Sequence, residues 1–139
     1  MNGKLNPAIW EYATWRKLFL ISAIWNFAGA IPGILFPALS MRLFYGIQTD
    51  NYHTLFLTSL FWGTVFLFGI GYLIVANAPV KNLGIIAMGV TGKVILASAW
   101  YCIYFLCKGR ATIVVVGAAT GDLIFAIYFC CYLFKNRSM

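Results

Sequence analysis

The stretch Thr54–Ala76, TLFLTSLFWGTVFLFGIGYLIVA, contains no charged residue and is apolar on every helical face. About 20 such residues in a helix cross a hydrocarbon core. A barrel strand would alternate apolar and polar positions over about ten residues, and this stretch does not. Three more blocks of similar length lie on either side of it, Leu18–Leu39, Leu83–Cys107 and Thr112–Phe134. Together the four predict an all-α integral membrane protein, an antiparallel four-helix bundle forming one domain over residues 1–139.

Composition agrees. Of 139 residues 63% are hydrophobic and only 9% charged, with a mean hydropathy of +0.87, whereas soluble domains carry roughly a quarter charged residues. A water-soluble domain is excluded, and too little chain remains outside the spans for a soluble catalytic unit.

The connections set the expected topology. Asn77-Ala78-Pro79-Val80-Lys81-Asn82 joins spans two and three, and Lys108-Gly109-Arg110 joins three and four, so each pair is expected to be antiparallel. The longer first connection, Pro37 to Tyr45 followed by Gly46, suits a short helix lying in the interface and stopping at the glycine.

The net charge of +7 would suggest nucleic acid in a soluble protein. Here the basic residues cap the apolar blocks instead, which predicts contact with the lipid bilayer and no nucleic-acid partner. Lys4, Arg16, Lys17, Lys81, Lys135 and Arg137 flank the side of the termini, and Arg42, Lys108 and Arg110 the other. The excess predicts both termini in the cytoplasm. Trp10, Tyr12, Trp15, Tyr132 and Tyr45 mark the interfaces. Basic residues before Leu18 and the Ala28-Gly29-Ala30 step imitate a signal peptide, but the segment is read as a retained first helix. Cys102 and Cys107 fall in the opposite leaflet from Cys130 and Cys131, so no disulfide is expected between the pairs.

Three polar residues share the middle of the membrane. With a rise of about 1.5 Å per residue, Asn26 lies about 4 Å from the centre of its span, Lys93 about 3 Å and Asp122 within about 2 Å. A charge at that depth costs about 2.5–3.5 kcal/mol on insertion scales, which makes it a functional candidate. Lys93 and Asp122 are close enough in level to form a salt bridge, and Asn26 can bond either one. Such a pair can pin helix register without any ligand, or it can line a pocket. Ser22, Asn26, Gly29 and Gly33 form one stripe on the first span, Gly117 and Gly121 repeat small residues beside Asp122, and Gly89, Lys93 and Ala97 do the same on the third span. Close helix approach is expected there. Pro32 frees the Ala28 carbonyl within the first span.

Trp100 and Tyr104 follow Lys93 on its own helical face and join Asn26, Lys93 and Asp122 as candidate ligand-binding residues. Trp62 and Tyr72 are further aromatic residues on helical faces. Aromatic walls with a few polar groups suit a quinone, a sterol or a similar lipophile. His53 is the single histidine, and no Cys/His spacing matches a metal site. No metal and no cofactor is expected, and no hydrolase, phosphate-binding or dinucleotide motif is present.

The length, the four spans, the Gly92-Lys93 step in the third and Gly121-Asp122-Leu123-Ile124-Phe125-Ala126 in the fourth resemble the small bacterial DoxX-like and BphX-like membrane proteins. The resemblance implies a compact four-helix bundle with a link to redox or hydrophobic-compound metabolism, and carries over no catalytic residue. The expected function is non-enzymatic: binding a small lipophilic ligand, or serving as a subunit of a larger membrane complex or homo-oligomer. The competing expectation is a membrane enzyme using Asp122 and Lys93 as acid and base on a lipid-soluble substrate.

Overall fold

The computed structural model describes residues 7–107 and 110–136, with side chains from residue 12 onward. Lys4, Lys108, Gly109, Arg137 and the side chain of Trp10 lie outside the described residues. Five helices follow in order: α1 (Pro7–Leu35), α2 (Pro37–Tyr45), α3 (Tyr52–Asn77), α4 (Leu83–Leu106) and α5 (Ile113–Asn136), with one 3-10 turn at Pro79–Asn82 before α4. Within this set Tyr12–Leu35, Tyr52–Asn77, Pro79–Leu106 and Ile113–Asn136 are long and apolar enough to cross a membrane.

The first helix departs from the span expected at 18–39. Its described part runs from Pro7, and the aromatic and basic residues before Leu18 simply continue it. It ends at Leu35, because Pro37 forces the preceding residue out of the helical region. Phe36 accordingly adopts φ −131° and ψ 62°. Pro37 then starts α2, which stops at Gly46 in the left-handed conformation (φ 65°) with its N–H on the Arg42 carbonyl. Asn51 caps α3 by accepting from the Thr54 amide at 3.1 Å.

α1 lies along α3 and α4 lies along α5, while these two pairs approach each other far less closely through their backbones. Aromatic side chains bridge the gap. Phe19 meets Phe129 and Trp15 meets Tyr132, each at 5.0 Å between ring centres, and Tyr72 of α3 reaches the same Phe129 at 5.0 Å. The core is accordingly divided. One cluster gathers around Phe19, Tyr72, Ile86 and Phe129. The other gathers around Ala30, Trp62, Trp100 and Val115. Large apolar residues such as Ile24, Leu57, Leu67, Ile95 and Ile127 face outward, an arrangement that lipid stabilises and water does not.

Several of the small residues receive rings where a close backbone approach was expected. The Trp62 indole lies against Gly33, where it leaves no room for a Cβ, and against Gly29. Trp25 occupies the corresponding space at Gly121, and Tyr72 that at Gly89. Gly117 differs, since a Cβ there would meet nothing within 4 Å.

The short helix α2 is fastened at several points. The Trp62 Nε1 donates to Ser40 Oγ at 2.6 Å, and the Trp100 Nε1 donates to the Tyr45 hydroxyl at 3.2 Å. The Thr112 amide donates to the Phe44 carbonyl at 2.8 Å, and the Thr112 hydroxyl donates to the Leu43 carbonyl.

Candidate functional site

Lys93 on α4 and Asp122 on α5 form a salt bridge, with Nζ and Oδ1 2.6 Å apart. Each residue is only 5% exposed. The ammonium also donates to Asn26 Oδ1 on α1 at 3.2 Å. Asn26 in turn donates through Nδ2 to the Val65 carbonyl of α3 at 3.2 Å, so this one cluster ties four helices together. The three residues that the sequence placed at mid-membrane therefore meet.

A further group joins them. Trp25 Nε1 donates to the same Asp122 Oδ1 at 3.3 Å, its indole passing over Gly121. The Lys93 Nζ sits 5.5 Å from the centre of the Tyr72 ring and 5.3 Å from that of Phe125, within the range where a ring face attracts a cation. The carboxylate, amide and rings together compensate a charge that would be costly to bury alone.

Beside this cluster lies a cavity of about 660 Å³, in the range typical of small-molecule pockets. Asn26, Lys93, Asp122, Tyr72 and Trp25 line its polar end, and Phe44, Phe61, Trp62 and Trp100 line its aromatic end beneath α2. Among the described residues Lys93 and Asp122 are the only charged ones on the walls, so the cavity carries no net charge. Several lining residues are exposed on the outer surface as well. Ala28 of α1 with Val114 and Gly117 of α5 form one such group, and Thr64 of α3 with Ile95 and Ala99 of α4 form another. The cavity thus reaches the lipid-facing surface at the two seams where the helix pairs are least closely packed.

Of the five residues singled out in the sequence, Asn26, Lys93, Asp122 and Trp100 line the cavity. Tyr104 does not; it is half-buried and packs edge-on against Phe105 at 5.1 Å. The sequence reading did not select Trp25, Phe44 or Trp62 for the site. Trp25 precedes Asn26 by one residue and so points about 100° away from it on the helix, and only the Gly121-Asp122 step opposite hints at a ring fitting there. Phe44 comes from α2, whose docking no periodicity reveals. No family model, curated protein or solved structure matches the chain.

Proposed function

We propose that this is a non-enzymatic integral membrane protein that binds a small lipophilic molecule in the cavity between its two helix pairs. The observation that carries the reading is the cavity itself, with apolar aromatic walls, a polar end without net charge, and openings at lipid-facing seams. A ligand dissolved in the bilayer reaches such a site without crossing water. In the full proposal the four long helices run antiparallel across a bacterial inner membrane, with both termini cytoplasmic and α2 lying in the opposite interface over the aromatic end. The DoxX-like resemblance is part of the same reading, since it too implies handling of hydrophobic compounds.

Acid–base catalysis is the weaker reading. Asp122 and Lys93 neutralise each other at 2.6 Å, and either would have to leave its partner before exchanging a proton with a substrate. The test is to purify the protein in non-ionic detergent, extract it with organic solvent and identify what is released by mass spectrometry. A stoichiometric lipophile that is lost from a Gly117→Phe variant supports the proposal. A wild-type protein that carries none, and takes up none from a panel of hydrophobic compounds, overturns it.

A further inference from the structure

Resting on the lipophile-binding reading, the donors and acceptors at the polar end specify the head of the ligand. Both hydrogen bonds made to the Asp122 carboxylate end on one oxygen, Oδ1, which accepts from Lys93 at 2.6 Å and Trp25 at 3.3 Å. Among the described residues Oδ2 accepts none, although a buried carboxylate has room for several. The opposite need stands beside it. Two Lys93 protons go to Asp122 and Asn26, leaving one of the three. The Tyr72 ring lines the same wall, but its hydroxyl lies against Gly89 of α4 and is closed off from the cavity. The other polar groups on the walls are already engaged: Thr64 donates to the Leu60 carbonyl, and the Trp62 and Trp100 indoles donate to α2.

The polar end therefore presents an unused acceptor next to an unused donor, the third Lys93 proton, with no net charge. A carbonyl or ether oxygen can accept but leaves Oδ2 unmet. A carboxylate brings a second negative charge against Asp122. A hydroxyl donates to Oδ2, accepts from Lys93, and leaves the salt bridge intact. We infer that the cavity selects an uncharged ring-bearing lipophile ending in a hydroxyl group, whose rings lie among Trp62, Phe61 and Trp100 while the hydroxyl meets Asp122.

A matched series tests this: 1-pyrenemethanol, 1-acetylpyrene, 1-methylpyrene and 1-pyrenecarboxylate, presented together to the purified protein and counted as one-to-one complexes by native mass spectrometry. The alcohol should bind about tenfold tighter than each of the others, as expected for hydrogen bonds made to charged groups. In the double variant Lys93→Met with Asp122→Leu, the alcohol, ketone and hydrocarbon should bind alike. If the ketone or hydrocarbon equals the alcohol in the wild type, or the carboxylate exceeds it, the hydroxyl assignment falls while lipophile binding stands. If none of the four forms a complex, the binding reading falls and the assignment with it. The wild-type series decides the question without requiring that any variant fold.

Discussion

Lys93 and Trp25 reach the same oxygen of Asp122, one from α4 and the other from α1. The carboxylate is thus the joint between the two helix pairs, α1 with α3 and α4 with α5. Removing one member of a buried charge pair leaves the other uncompensated, at a cost of about 3–5 kcal/mol. Asp122→Asn and Lys93→Met should each lower the melting temperature in detergent. Lys93→Met with Asp122→Leu should recover much of the loss, and full stability of either single variant would show that the pair contributes little.

The glycine sockets predict an asymmetry among substitutions to alanine. Gly33→Ala drives a methyl group into the Trp62 indole, and overpacking of this kind costs about 1–3 kcal/mol. Gly63→Ala adds its methyl group where nothing lies within 4 Å, so it should be neutral or stabilising by up to about 1 kcal/mol. Thermal unfolding of the two variants side by side checks this, and equal effects would contradict it.

Trp62→Phe keeps a ring but removes the donor to Ser40. The lost hydrogen bond is worth about 1 kcal/mol, so hydrogen exchange across Ser40 to Gly46 should accelerate by about fivefold. Unchanged exchange there would mean that the other attachments hold α2 without help from the indole.

Gly117→Phe should fill the seam between α1 and α5 from a position that faces open space. Ligand uptake should fall by at least about tenfold, while the melting temperature moves little, since a ring at an unoccupied lipid-facing site displaces no packed atoms. Undiminished uptake would leave the seam between α3 and α4 as the working opening.

The proposed orientation rests on the basic residues that flank the spans. Reporter fusions at Met139 and at Arg110 should report the cytoplasm and the opposite side respectively. A periplasmic signal from Met139 would reverse the assignment.

What the sequence made legible is what depends on one segment at a time. Twenty-odd apolar residues identify a span wherever it packs, and charges at a shared depth mark a cluster, so Lys93, Asp122 and Asn26 could be brought together before any coordinates. Gly46 as the stop of α2 was readable for the same local reason. Relations between segments were not. Small residues looked like seams for close backbone contact, because nothing on one helix says that Trp62 or Trp25 will come from another to occupy them. Helical spacing put Tyr104 on the face of Lys93, yet eleven residues is three turns away, and the cavity ends at Trp100. The division into two pairs, which creates the cavity, depends on the sizes of side chains facing one another across the gap.

Each ring and the glycine it covers across the gap between the helix pairs form a unit whose total size is constrained, as at Trp25 with Gly121 or Tyr72 with Gly89. Neither partner can grow or shrink alone without jamming or opening the seam. In any lineage descended from this sequence the two positions should therefore change together, a larger residue in the socket accompanying a smaller one opposite. Such paired exchanges, gathered from natural variants, would retrace the lines along which the two halves of the protein meet.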